Sequence, residues 1–171
     1  MVNTYIDAEW YLNQRIFLIG YGYENTITGK ISTHQLYKEN INKADILKIL
    51  KPTTGKIYIY GPDIGMLEKV FQLDIRQQYN CINLIKIIKD CYPNLNSYKL
   101  AEMEKHFGFK RKAAKYKSDI FSIYKDWQNK KLKQLVLQYN NEDVYYLIKV
   151  KQKVFQKFFF PRQYLNDIRL K

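Results

Sequence analysis

Residues 4–10 read TYIDAEW, and this stretch decides the fold. Its alternating pattern and its content of β-forming residues predict a strand. Because side chains alternate between the two faces of a strand, Tyr5, Asp7 and Glu9 share one face. Two carboxylates two positions apart repel each other, so they either lie in solvent at a strand end or bind a cation. The sequence at this point leaves both alternatives open.

The elements that follow this strand indicate an α/β fold with a mixed sheet. Two further strands after short links predict a three-stranded antiparallel meander, and the later pattern alternates helices with a strand. Residues 82–88 fit either a buried strand or a helix. Ser97 is the predicted N-cap of a later helix, and Gly108 its C-terminal stop. The predicted strands are 4–10, 14–23, 30–37 and 56–60, and the predicted helices are 42–50, 64–71, 97–107, 118–127 and 132–158.

Length and composition limit the classes of protein to consider. A chain of 171 residues that is 46% hydrophobic suits a single domain, with a core at about 4–157 and a short tail at 158–171. Its net charge of +13 favours nucleic acid as a partner, with an anionic membrane surface as the second candidate. Neither a membrane-spanning run nor a signal pattern is visible, so a cytoplasmic location is expected. Cys81 and Cys91 form no Cys-x-x-Cys pair and are predicted to be reduced thiols.

A second acidic position follows the strand predicted at 56–60. There the sequence GPDIG places Asp63 where a strand ends and a helix begins. Asp is a common helix N-cap, and that role alone explains the residue. Active sites of α/β sheets also gather at such strand ends, so a functional role is the alternative.

The third acidic position lies in the long helix near the C-terminus. Tyr139 and Asp143 are four residues apart and therefore share a helical face, together with Val136, Leu147 and Val150. A carboxylate in line with an apolar stripe is costly to bury unless a cation, a metal or hydrogen bonds compensate it. A helix with one acid at the edge of its apolar face is the simpler alternative.

Taken in order, Asp-x-Glu, a later Asp and a late Tyr-x-x-x-Asp resemble the DEDD family of 3′→5′ exonucleases. The segment PDIGMLEKVF is similar to the second motif of DnaQ-type exonucleases. The segments LAEMEKHFG and LVLQYNNEDVYYL resemble the YprB-like predicted exonuclease group. The resemblance covers about residues 4–150. One branch of the family has His five residues before the last Asp, where this chain has Gln138; Tyr139 instead matches the DEDDy branch.

This resemblance implies a ribonuclease H-like fold and two divalent ions, Mg²⁺ or Mn²⁺, which prefer oxygen ligands. It implies that Asp7 bridges both ions and that Tyr139 orients the attacking water. The implied metal ligands are Asp7, Glu9, Asp63 and Asp143. The chain departs from the family pattern where Pro62 precedes Asp63, which bears on contacts to the substrate strand, and where Asn83-Leu84 replaces a downstream Asp-Leu pair.

The basic residues complete the sequence-based hypothesis of a nuclease acting on DNA or RNA. A basic rim around an acidic floor would bring an anionic strand to the carboxylates, and an aromatic ring could stack on a base. Two other functions stay open, a non-catalytic nucleic-acid-binding protein and an endonuclease of the wider superfamily. The candidate nucleic-acid contacts are Trp10, Lys110, Arg111, Lys112 and Lys115.

Overall fold

A computed structural model describes residues 1–11, 15–112 and 120–170 of the chain. Within these residues a five-stranded sheet has the order β3-β2-β1-β4-β5. The strands are β1 (Val2–Tyr11), β2 (Arg15–Asn25), β3 (Ile31–Leu36), β4 (Lys56–Ile59) and β5 (Asn80–Asn83). The helices are α1 (Lys43–Leu50), α2 (Asp63–Phe71), α3 (Ile75–Gln78), α4 (Leu84–Cys91), α5 (Leu100–His106), α6 (Ile120–Gln128), α7 (Lys133–Lys157) and α8 (Arg162–Asp167).

The sheet is mixed, which confirms the prediction from the sequence. β1, β2 and β3 form the antiparallel meander, while β4 and β5 run parallel to β1. Parallel strands bring their carboxyl ends to one edge of a sheet. The second half of β1, with Asp7 and Glu9, therefore lies near Asp63, which follows β4.

Helices cover both faces of the sheet. On one face, Ile6 of β1 packs in a cluster with Ile46 of α1 and Leu67 of α2. On the other face, Tyr5 of β1 packs with Leu84 of α4 and Leu147 of α7. The alternation predicted for β1 is confirmed, because even-numbered residues face α1 and α2 while Tyr5 faces α7. The acidic side of β1 is thus covered by the helix that carries Asp143.

Two local predictions needed correction or refinement. The stretch 82–88, which fits either a strand or a helix, contains the end of β5 and the beginning of α4. Asn83 is the last residue of β5 and the N-cap of α4, and its side chain accepts a hydrogen bond from the Ile85 N–H (3.1 Å). The prediction of Ser97 as a helix N-cap was wrong, since α5 begins after Lys99. Gly108 has the positive φ of 74° that suits a C-terminal stop. The predicted start of α6 at 118 lies outside the described residues.

The C-terminal segment after α7 forms a helix and pairs with the edge of the sheet. Pro161 precedes α8, a short helix that the sequence pattern did not reveal. Beyond it, Arg169 forms a β-bridge with Ile82, and the Leu170 N–H donates to the Cys81 carbonyl at 2.9 Å. The segment therefore covers the outer edge of β5, which would otherwise present unpaired backbone groups.

Cys81 and Cys91 are free thiols, as the sequence predicted. Among the described residues, no helix combines the length and the apolar character needed to cross a membrane.

Candidate metal centre

Three of the predicted acids converge on the face of the sheet below α7. Asp7, Glu9 and Asp143 each place one carboxylate oxygen within 4.8 Å of the others. Glu9 is 6% exposed and Asp143 5% exposed, while Asp7 is half-buried. Three carboxylates this close cannot all be ionised in a buried place without a compensating cation. The arrangement has the oxygen-donor chemistry that a hard divalent cation prefers.

Asp63 lies beside this group but is not one of the three. It is the first residue of α2, and Pro62 rather than Asp63 precedes the helix as its N-cap, so the simple capping explanation is wrong. Asp63 Oδ1 instead accepts a hydrogen bond from the Ala8 N–H at 3.1 Å. That bond ties the start of α2 to β1 between Asp7 and Glu9. The charge of Asp63 also contributes to the raised pKa of both neighbours.

Burial raises the pKa values of all four acids, and the charge of a neighbouring carboxylate adds to the rise in each. Burial is the largest cause for each, and it raises the pKa of Asp63 and Asp143 to about 6. Burial together with the charges of Asp143 and Asp63 raises the pKa of Glu9 to about 8. Burial and the charges of its acidic neighbours also raise the pKa of Asp7 well above its usual range. The cluster is electrostatically frustrated, because its buried carboxylates repel one another when they are ionised. Bound divalent cations would reduce this repulsion.

Tyr139 extends over the same cluster from α7. Burial, and then the charge of Asp143, raises the pKa of its phenol well above its usual range, so the group stays protonated. A hydrogen bond from Tyr139 lowers the pKa of Asp143. A protonated phenol among carboxylates can orient a water molecule or an oxyanion but does not act as a base. The structure therefore brings Tyr139 to the three converging acids.

Comparison with protein families now adds an independent observation. A family model described as RNase_H superfamily matches residues 4–155, which is most of the chain. The chain belongs to the RNase H superfamily. No curated protein matches it significantly. The mixed sheet flanked by helices agrees with this assignment, and the matched range contains all of the acids described above.

Membership of the RNase H superfamily gives the acidic cluster its chemical context. Proteins of this superfamily act on nucleic acid and usually use divalent metals. The donor set fits such ions, since Asp7, Glu9 and Asp143 offer only oxygen atoms and lie close together in a largely buried place. Asp7, Glu9 and Asp143 are therefore the residues that would hold a divalent ion, with Asp63 adjoining them.

Asn140 is a site residue that the sequence analysis missed. It is fully buried, and its Nδ2 donates to Asp7 Oδ2 at 2.8 Å and to the Asp7 carbonyl at 3.3 Å. Its Oδ1 accepts from Gln35 Nε2 at 3.0 Å, which fixes the orientation of the amide. Asn140 thereby sets the rotamer of Asp7. The sequence contained one indication of this role, because Asn140 is a polar residue that lies next to Tyr139 among the apolar positions of α7.

A glycine in β2 makes this contact possible. Gly20 is paired with Asp7 across the strands, and a Cβ at position 20 would lie 2.4 Å from Asn140 Oδ1 and 2.6 Å from Val144 Cγ2. Only glycine allows α7 to approach the sheet this closely. The lack of a side chain at Gly20 therefore allows the close approach of α7 to the sheet at the acidic centre.

The predicted nucleic-acid contacts have diverse surroundings. Lys110 and Lys112 are exposed and flank Arg111 in the sequence, and Lys115 lies outside the described residues. Trp10 is half-buried and packs against the hydrophobic cluster on the α1–α2 face of the sheet. Arg111 is buried, with a side chain only 4% exposed, and it pairs with Glu104 and Asp143. Arg111 is therefore part of the acidic centre itself.

A groove of about 510 Å³ opens directly beside the acids. Asp7, Tyr139 and Asp143 form its floor, and its wall carries aromatic and cationic side chains. The Tyr60 hydroxyl donates to the Tyr98 carbonyl at 2.8 Å, which joins two parts of that wall. The sequence analysis did not single out these wall residues, which are Tyr60, Lys89, Tyr98 and Lys99.

Proposed function

We propose that the chain is a metal-dependent 3′→5′ exonuclease of the DEDDy type that acts on single-stranded nucleic acid. The observation that carries this proposal is the convergence of Asp7, Glu9 and Asp143 within 4.8 Å, under the Tyr139 phenol. It is supported by membership of the RNase H superfamily. The branch assignment rests on Tyr139, which stands four residues before Asp143 on α7.

Each residue has a defined task in this proposal. Asp7, Glu9 and Asp143 hold Mg²⁺ or Mn²⁺, and Asp63 completes the set. Two such ions, when bound, stabilise the charge that develops on the phosphate and lower the pKa of the attacking water. The protonated Tyr139 orients that water, and Asn140 keeps the Asp7 carboxylate in a single orientation.

The groove supplies the place for the strand. Its lysines, Lys89 and Lys99, suit the phosphates of a single strand, and Tyr98 offers a ring for stacking on a base. Stacking on the Tyr98 ring requires an unpaired base, so the proposal favours a single strand over a duplex. Lys151, by contrast, belongs to no substrate surface, because it is buried and pairs with Glu24 at 2.9 Å.

The test is release of label from a 3′-labelled single strand in the presence of Mn²⁺. Wild-type protein should release the terminal nucleotide, and both Asp7→Asn and Asp143→Asn should lower the rate on the order of a thousandfold, the scale of losing a group that acts on transition-state charge. Glu142→Gln is a matched control, because Glu142 is a neighbouring acid of α7 outside the converging group. Equal rates in all four proteins would refute the proposal.

Substrate form separates the neighbouring possibilities. A 5′-labelled strand should shorten one nucleotide at a time, whereas a circular single strand should stay intact. Cleavage of the circle would identify an endonuclease instead.

The ion pair between Arg111 and Asp143 is the observation that favours a second candidate, a nucleic-acid-binding protein that does not cleave. In such a protein the guanidinium would permanently replace the metal. Strand binding without Mn²⁺ uptake or hydrolysis would identify it.

A further inference from the structure

A buried group of three charges stands at one side of the acidic centre. Arg111 donates from Nε and Nη2 to the two carboxylate oxygens of Glu104, and Nη2 also donates to Asp143 Oδ1. The side chains of Arg111, Glu104 and Asp143 are 4%, 3% and 7% exposed. A two-pronged contact of this kind fixes the plane of a guanidinium. Arg111 is therefore anchored by Glu104 and shared with Asp143.

The surroundings also hold the guanidinium in place. Its central carbon lies 5.1 Å from the ring centre of Tyr139 and 6.0 Å from that of Tyr146. The Tyr146 hydroxyl donates to the carbonyl of the preceding residue, Lys110, at 2.7 Å. Among the described residues, Arg111 Nη1 is buried and has no hydrogen-bond partner. A buried unpaired N–H is costly, so this position of the side chain is not the most favourable one for every atom.

The contact with Asp143 matters because that carboxylate belongs to the converging acids. Asp7, Glu9 and Asp143 form the three-acid group, whereas Glu104 is not a member of it. The guanidinium thus pairs with one carboxylate of the three-acid group while being held by Glu104, which lies outside that group. A divalent ion that takes the same Asp143 oxygen must displace one hydrogen bond of Arg111, but none of its bonds to Glu104.

We propose that Arg111, anchored by Glu104, is a resident cation of the acidic centre that competes with a divalent ion for Asp143. This inference rests on the proposed function, because it takes the three acids to be metal ligands. In the metal-free protein Arg111 lowers the repulsion among the acids. On metal binding it releases Asp143 and stays on Glu104. Arg111 is therefore a positioning residue that sets the metal concentration at which the centre fills.

The test is the affinity for Mn²⁺ without nucleic acid, measured by electron paramagnetic resonance of the free ion. Arg111→Gln should bind Mn²⁺ about tenfold more tightly than wild type, because the positive charge that pairs with Asp143 is removed from the centre. Arg76→Gln is the matched control, since Arg76 also pairs with a glutamate, Glu68, outside the centre. Its affinity should equal that of wild type.

A double variant distinguishes competition for Asp143 from a general change of charge. Arg111→Gln with Glu104→Gln removes one positive and one negative charge, so the net charge of the region stays the same. It also removes the buried Glu104 carboxylate that the single variant would leave without its guanidinium, which limits the loss of stability if the single variant is unstable. The double variant should still bind Mn²⁺ more tightly than wild type, by about threefold or more.

The outcomes are distinct. A double variant that binds Mn²⁺ no more tightly than wild type overturns the inference, whatever the single variant does. If Arg111→Gln and the double variant both gain affinity while no protein hydrolyses a strand, the inference stands and the proposed function fails. If wild type hydrolyses the strand and neither variant gains affinity, the proposed function stands and the inference fails.

Discussion

Two buried polar clusters attach α7 to the sheet, and they differ in charge balance. Near the end of α7, Glu24 accepts hydrogen bonds from Tyr5, Asn3, Lys151 and Gln152. Near its beginning lie Asp7, Glu9, Asp63 and Asp143, and Arg111 pairs with Asp143. Within the described residues, the first cluster contains one carboxylate and one ammonium group. In the same part of the chain, the second has several carboxylates and the guanidinium of Arg111, which also pairs with Glu104.

The pKa values of the carboxylates in the two clusters are shifted in opposite directions. Burial alone would raise the pKa of Glu24, but hydrogen bonds from Tyr5, Gln152 and Lys151 outweigh it and lower the pKa to about 2. Burial and neighbouring charge raise the pKa of Glu9 to about 8. A satisfied cluster stabilises the ionised protein, whereas a frustrated one costs stability when it ionises. We infer that the Glu24 cluster serves the fold and the Asp7 cluster serves cation binding.

The largest expected effect is on the balanced cluster. Lys151→Met leaves Glu24 ionised and buried without its ammonium partner, and should lower the free energy of unfolding by about 3–5 kcal/mol. Urea denaturation measures the loss. Lys153→Met is the matched control, because Lys153 is an exposed lysine of the same helix and should change stability by less than about 0.5 kcal/mol. Equal losses in both variants would contradict the assigned role of the Glu24 cluster.

The second prediction concerns the stability of the protein at low pH. The pKa of Glu24 is lower in the folded protein, about 2 against an ordinary 4.5. The stability it contributes is therefore present above pH 4.5 and is lost as the pH falls through about 2. The full contribution is about 3 kcal/mol. Urea denaturation between pH 6 and pH 3 should show the gap between wild type and Glu24→Gln narrowing as the pH falls, and a constant gap would contradict the shift.

The third prediction compares two glycines of β2. Gly20 faces Asn140 at the acidic cluster, whereas a Cβ at Gly22 would meet Ile148 and Val144 at 2.9 Å. Each substitution by alanine should cost about 1–3 kcal/mol through overpacking. Only Gly20→Ala displaces the amide that orients Asp7, so only this variant should lose nuclease activity at a temperature where both are folded. Matching activity losses would show that Asn140 has no special role.

The smallest effect is expected for the phenol above the acids. Tyr139→Phe removes one hydrogen bond, worth about 1 kcal/mol, and should lower kcat about fivefold. Mn²⁺ affinity should stay at the wild-type value, because the phenol is not a metal ligand in the proposed function. Single-turnover hydrolysis together with a Mn²⁺ titration checks both parts. A loss of Mn²⁺ binding instead would assign Tyr139 to the metal shell.

The sequence predicted the parts of the molecule that depend on local periodicity. The alternation of residues 4–10 located β1 and the shared face of Asp7 and Glu9, and the four-residue spacing placed Tyr139 and Asp143 on one face of α7. These predictions are confirmed because strand and helix geometry follow directly from sequence spacing.

Contacts between distant segments could not be predicted in this way. Glu104, Arg111 and Asp143 meet only because α5 and α7 pack together, and the sequence gives no spacing rule for such a contact. The sequence accordingly predicted Arg111 as a nucleic-acid contact on the surface, although packing buries it. The same limit explains why Asn140 was missed, since its partner Asp7 is 133 residues away.

We expect the frustrated cluster to bind divalent cations and the balanced cluster not to bind them. Thermal unfolding with and without Mn²⁺ tests it most directly, in wild type, Asp7→Asn and Glu24→Gln. At about one hundred times the dissociation constant, Mn²⁺ should stabilise wild type by about 2.7 kcal/mol. Glu24→Gln, although less stable, should gain the same amount, and Asp7→Asn should gain almost nothing. A wild type that Mn²⁺ leaves unchanged, or an Asp7→Asn variant that gains as much as wild type, would contradict the account.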